Sequence, residues 1–325
     1  MTRLALVLAS ILLLFLGAQK ASADDLSEVQ QEFDAGNYSS AVNTLRALVS
    51  QNPSIAADHY WLGRCYYELR DYSNAVSELE KATQLDPNSS VYHDWLGRGY
   101  GQEAARERSF LLARRVKKEF QAAVQDGPSN IDARRDLEEY LLQAPWIVGG
   151  SKDDALAQAN AIAQVDAVEG HLAKAEYETA IGKPDLAVAE YNAAMSLKPR
   201  SIDPYLEVAN YYGLEGDGGQ MTALVEQASQ ASPKDSRLPF YVGVAHILSG
   251  TDFSLAEENL KSYLATAPER SDWPSHSIAR YWLGQLYEKQ GDKMAAAEQY
   301  RDALGLDPDN REAKRALGQL EKSLH

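Results

Sequence analysis

The chain has 325 residues, 45% of them hydrophobic, and carries 47 acidic against 32 basic side chains for a formal charge of −15. That apolar fraction supports a sizeable core and excludes a disordered chain. The acidic balance repels phosphate backbones and argues against a nucleic-acid partner.

Residues 1–23 have the pattern of a cleaved secretory leader. Arg3 gives a positive start, Leu4 to Gly17 form a 14-residue apolar run, and Ala21-Ser22-Ala23 supplies small residues at the positions a signal peptidase reads. The run is shorter than the ~20 residues a helix needs to span a bilayer. Cleavage after Ala23 predicts a periplasmic or secreted protein of 302 residues with a formal charge of −17, because Arg3 and Lys20 leave with the leader. Cys65 is the one cysteine, so no internal disulfide framework forms and the core must hold by packing.

Beyond the leader, the chain repeats. Asn52-Pro53, Asp86-Pro87, Gly127-Pro128, Lys198-Pro199, Ser232-Pro233, Ala267-Pro268 and Asp307-Pro308 each close an alanine-rich apolar stretch, at spacings of 34, 41, 71, 34, 35 and 40 residues. Proline lacks an amide hydrogen and pushes the preceding residue out of helix, so each one stops a helix. A period near 34 predicts an all-α array of stacked helical hairpins.

Small residues recur where two helices must approach. In 56–89, Leu62, Gly63 and Tyr66 share one face of a first helix, and Ala75, Leu79 and Ala82 share one face of a second. Residues 277–310 repeat this with Leu283, Gly284, Tyr287, Ala296, Tyr300 and Ala303. This pattern resembles the tetratricopeptide repeat family, and the resemblance implies a right-handed superhelical solenoid. About eight hairpins are expected at 24–55, 56–89, 90–130, 131–167, 168–201, 202–235, 236–270 and 277–310, with a capping helix at 311–323. One departure from the family pattern is Tyr263, which stands where alanine is usual.

Two further departures are insertions. In the third unit the second helix resumes seven residues late, at Val116, Phe120 and Ala123; in the fourth it resumes about five late, at Ala155, Ala159 and Ile162. Both are expected to enlarge the turn inside a hairpin, with Phe110, Leu111 and Leu112 meeting Trp146, Ile147 and Val148. Those apolar residues are either a small satellite core or, for Trp146, Ile147 and Val148, a docking loop.

No catalytic motif is present: there is no His-Glu-x-x-His and no Gly-x-Ser-x-Gly, and Gly149-Gly150-Ser151-Lys152 lacks the order of a phosphate loop. His59, His93 and His171 fall at the fourth position of three different units. They are expected to pack between helices and not to converge on a metal. Neither a cofactor nor an enzymatic activity is expected.

The resemblance implies a concave groove lined by the first helices. It places Tyr60, Trp61, Arg64, Tyr67, Trp95 and Arg98 there, together with Phe240, Tyr241, Tyr281 and Trp282. Trp61-Leu62-Gly63-Arg64 and Trp95-Leu96-Gly97-Arg98 repeat 34 residues apart, which predicts Trp and Arg side chains stacked in register. Such residues serve as binding hot spots or pack against the neighbouring hairpin. The expected ligand is a protein or peptide, with a glycan stacking on the aromatics as the alternative.

Charge is uneven. Residues 98–135 hold nine basic and five acidic side chains, a local +4. This stretch is either an ordinary solvated helix face or a site that steers an anionic partner or makes peripheral contact with an anionic membrane. Oligomeric state is left open by the sequence.

Overall fold

The prolines do stop helices. The computed structural model describes residues 26–322, so the leader pattern lies outside the described residues. Among those residues there are seventeen α-helices and no strand. In chain order they are α1 (26–34), α2 (Tyr38–Gln51), α3 (Ala56–Glu68), α4 (Tyr72–Leu85), α5 (Ser90–Glu107), α6 (Phe110–Asp126), α7 (Ile131–Gln143) and α8 (Lys152–Val165). They continue as α9 (Ala167–Ala180), α10 (Pro184–Ser196), α11 (Asp203–Leu214), α12 (Gly218–Ala231), α13 (Leu238–Ser249), α14 (Phe253–Thr266), α15 (His276–Gln290), α16 (Lys293–Leu306) and α17 (Arg311–Lys322). Paired in order, α1 to α16 make eight hairpins, and α17 lays Ala313, Ala316 and Leu320 inward. The chain divides into two compact units at Ile162/Ala163, within α8.

Within each hairpin, small residues let the helices close. A Cβ added to Gly63 would sit 2.6 Å from Leu79 Cγ, and one on Gly284 would sit 2.3 Å from the Tyr300 ring. Ala75, Ala82, Ala296 and Ala303 are fully buried at the same seams. Several second helices are capped by aspartate: the side chains of Asp71, Asp217, Asp252 and Asp292 accept from backbone amides of the following turn.

The fourth-position residues do more than pack. His59 Nδ1 lies 2.6 Å from Glu78 Oε2, His93 Nδ1 lies 2.7 Å from Glu119 Oε2, and His171 Nδ1 lies 2.6 Å from Glu190 Oε2. Arg134 donates to Gln158 and Arg280 to Gln299 in the same way. Each pair ties the first helix of a hairpin to its second. Several of these residues also reach back six positions to the carbonyl of the helix-stopping proline: His59 to Pro53, His93 to Pro87, Arg134 to Pro128 and Tyr205 to Pro199. Besides the packing expected of them, these side chains act as polar clips between the helices. The signal was a Glu or Gln nineteen residues later, offset where an insertion intervenes.

In His93 both ring nitrogens face acceptors, and the Glu119 hydrogen bond raises it above the usual histidine value. A raised folded value gives stability that is complete below about pH 6.5 and is lost as pH rises through the folded value. Glu119→Gln is expected to cost about 1 kcal/mol at pH 6 and less at pH 8.5. Urea titration of the variant and parent at both pH values checks this; an equal cost at both would contradict it.

The third-unit insertion does not enlarge a turn. α5 and α6 have 18 and 17 residues, against 13 and 14 for α3 and α4, so the extra chain is wound into longer helices. Arg108, in the left-handed region at φ 52°, makes the tight reversal. The reason is local: residues 101–107 hold no proline, Gly101 is the one weak helix former among them, and the run continues the face begun by Gly97 and Tyr100. The fourth unit does have the expected long connection, residues 144–151, with a 3₁₀ turn at Trp146–Val148.

Candidate functional site

In the N-terminal unit the first helices of four successive hairpins share one continuous stack. The Arg64 guanidinium on α3 stands 4.4 Å from the Phe33 ring of α1, 4.8 Å from Trp61 and 4.2 Å from Trp95 of α5. Arg98 stands 4.8 Å over the same Trp95 and reaches α7 through an ion pair with Asp136. The sequence repeat thus delivers the Trp–Arg register that it predicts. Phe33 and the carboxylates that end the stack are the parts it did not reveal.

The stack is mostly internal. Tyr60 and Tyr67, expected on the open groove, are buried. Tyr60 packs on Tyr92 at 4.9 Å and Tyr67 on Trp95 at 5.5 Å, each in the next hairpin, and burial pushes the Tyr67 hydroxyl up to about 12. Phe240 and Tyr241, in the second unit, are likewise buried; Phe240 packs on Tyr263 at 5.5 Å, and burial pushes Tyr241 up to about 12. Placement on the groove surface is therefore corrected for these four residues. The rings of Tyr60 and Tyr67 pack against the next hairpin, and that of Phe240 packs inside its own against Tyr263 of α14. Tyr281 and Trp282 remain half-buried, edge to face at 5.4 Å. Cys65 is a buried packing residue, and burial pushes its thiol up to about 12.

Beyond Trp95 the stack opens into a cleft of about 620 Å³ between α5, α6 and α7. Its apolar wall is Phe110, Ala113, Val116, Phe120 and Val148. Its polar end is Arg98, Asp136 and Glu139, with Gln102 and Gln143 at the rim. The cleft follows from the insertions: α5 and α6 outrun α7, and the 144–151 connection folds over α6 to close one side. Tyr140 fastens that closure, its hydroxyl lying 2.6 Å from the Ala113 carbonyl and 2.8 Å from that of Val148.

The polar end holds an unusual acid pair. Asp94 is buried and hydrogen-bonded to Asp136, and Arg98 Nε lies 3.3 Å from Asp94. Burial and the neighbouring Asp136 carboxylate raise Asp94 to about 8. Burial raises Asp136 as well, opposed by the Arg98 charge and the hydrogen bond it accepts from Arg98, so the two carboxyls titrate as a pair that holds a proton.

The apolar residues of the two insertions do not form the expected joint core. Val148 is buried, but Trp146 is 84% exposed, Ile147 50%, Phe110 67% and Leu111 68%. A 3₁₀ turn points its three side chains in different directions, so one turns inward and two turn out.

A family model described as tetratricopeptide repeat matches residues 26–90, 248–311 and 284–321. No curated protein matches the chain in sequence. Among solved structures, the APC/C hetero-tetramer Cut9-Hcn1 is similar, with a TM-score of 0.51 at 12% identity. That match covers 94% of this chain and 56% of that one, so the chain spans little more than half the relative's length. A tetratricopeptide repeat protein from Parabacteroides merdae ATCC 43184 matches with a TM-score of 0.48 at 12% identity, covering 82% of this chain and 98% of that one. MamA matches with a TM-score of 0.42 at 16% identity, over 52% of this chain and 92% of that one. At these identities the likeness concerns the fold alone.

Proposed function

We propose that this chain, which the tetratricopeptide repeat model matches over residues 26–90 and 248–321, is a non-catalytic scaffold of the cell envelope that holds a peptide segment of a partner protein in the cleft of its N-terminal unit. The cleft carries the reading: an apolar wall of Phe110, Ala113, Val116 and Val148 ends in charged and amide side chains. Apolar wall and polar rim together suit a segment that buries a row of apolar side chains and ends in hydrogen bonds. Repeat arrays of this family generally serve as interaction scaffolds. The leader pattern of residues 1–23 supports placement in the periplasm or outside the cell.

The glycan alternative is weaker. Sugar stacking needs free ring faces, and Arg64 already stands over both Trp61 and Trp95. For the same reason, truncating those tryptophans would loosen the stack itself and is a poor test of binding. Ala105 is better placed, because it is exposed and lines the cleft. Ala105→Arg is expected to fill the cleft, keep parental helicity by circular dichroism, and lose the protein that the parent captures by crosslinked pull-down from envelope extract. Unchanged capture by a folded variant would sink the cleft as the site.

A further inference from the structure

Three of the basic side chains of residues 98–135, Arg114, Lys117 and Lys118, lie together on α6. Leu111, Arg114 and Lys118 stand exposed along one stripe of α6, at the three- and seven-residue spacing of a helix face. The 144–151 connection lies against that stripe. Lys117 Nζ donates to the Gly149 carbonyl at 2.8 Å, and Arg114 donates to that of Ile147 at 3.5 Å. Held this way, Trp146 and Ile147 point outward beside Arg114, Lys117 and Lys118, and together they line a shallow depression of about 280 Å³. Phe110 and Leu111, at the start of the same helix, are also exposed. Arg114 and Lys118 make no ion pair among the described residues.

We propose that this edge of the N-terminal unit docks on the surface of an anionic bilayer. Three observations favour that occupant. The exposed apolar side chains are interleaved with cations in place of being gathered in a pocket, as suits an interface where rings sit at headgroup level and cations meet phosphate. Trp146 is the most exposed large apolar side chain here, and tryptophan is the residue that gains most at that boundary. A chain of formal charge −15 is repelled by an anionic surface wherever its local charge is negative, and residues 98–135, with a local +4, are a stretch where that sign is reversed. The charge complementarity therefore sets the orientation: this edge faces the lipid. The docking edge includes Trp146 and Ile147 of the expected docking loop but not Val148, which is buried.

The test is sedimentation of the chain from residue 24 onward with phosphatidylglycerol–phosphatidylcholine vesicles and with phosphatidylcholine vesicles alone. Binding is expected to the anionic vesicles only, to weaken as salt is raised, and to be accompanied by a blue shift of tryptophan fluorescence. Trp146→Ser/Ile147→Ser and Arg114→Glu/Lys118→Glu should each weaken it roughly tenfold or more, with helicity unchanged since all four side chains are exposed. Ala105→Arg, which blocks the cleft, should leave it intact and so separates this surface from the peptide site. Absence of binding to anionic vesicles, or binding by both double variants as strong as that of the parent, would overturn the proposal. Binding of poly-glutamate without binding of vesicles would overturn it in favour of an acidic polypeptide partner.

Discussion

Tyr263→Ala is expected to destabilise the C-terminal unit by about 3–5 kcal/mol, although it restores the alanine usual at that position of the repeat. Tyr263 is fully buried, packed against Phe240 at 5.5 Å and edge-on to His276 at 5.8 Å. Its hydroxyl donates to the Pro274 carbonyl at 2.5 Å. The connection from α14 to α15 is longer than its counterparts, which is why the spacing from Pro268 to Pro308 is 40 residues. Tyr263 fills the space under that connection and ties it down. Trp273 on the same connection is held between Arg237 at 5.6 Å and Arg270 at 5.1 Å. Truncation removes the ring, leaves a cavity and frees the loop. Tyr263→Phe keeps the ring and should cost only about 1 kcal/mol. Denaturant unfolding of the three proteins decides it. A neutral alanine variant would show that the repeat consensus governs this position and the loop does not.

Asp94→Asn is expected to stabilise the N-terminal unit, and to do so increasingly as pH rises. The Asp94–Asp136 pair holds a proton in the fold well above the pH at which an unfolded aspartate loses it, about pH 3.9. Over that range the folded state binds the extra proton, so stability falls with rising pH. Burial raises Asp94 most, the Asp136 charge adds to it, Arg98 opposes it and Asp132 adds further. Asparagine keeps a donor toward Asp136 and removes the titration. At pH 9 the variant should melt higher by about 2–4 °C for each kcal/mol regained, and at pH 4 it should match the parent. Amide exchange in α5 and α7 should slow in the variant at pH 9. A pH-independent difference would show that Asp94 does not carry the proton.

The hairpin array was legible because its causes are local. Prolines stop helices, and small residues at fixed spacing mark close approach, so Gly63 against Leu79 and Gly284 against Tyr300 could be inferred from period alone. The Trp61–Arg64 and Trp95–Arg98 register was legible for the same reason. What was not legible depends on how far a segment reaches. Seven inserted residues can make a loop or lengthen two helices; the absence of proline from 101–107 lets the helix continue, but that absence alone does not say how far. The cleft is a product of that choice, so no motif announced it. Exposure was hard to assign for a related reason: Tyr60 sits at a nominal groove position, but its ring reaches Tyr92 of the next hairpin, which the period alone does not place.

The claim that the cleft is the binding site is tested most directly by a photoreactive benzoylphenylalanine placed at position 143, where Gln143 is exposed at the cleft rim, and at position 294, where Met294 is exposed on α16 of the other unit. After illumination in the cell of origin, position 143 should give a discrete crosslinked protein and position 294 none. Adducts of equal yield from both positions, or from neither while the chain is folded and exported, would contradict it.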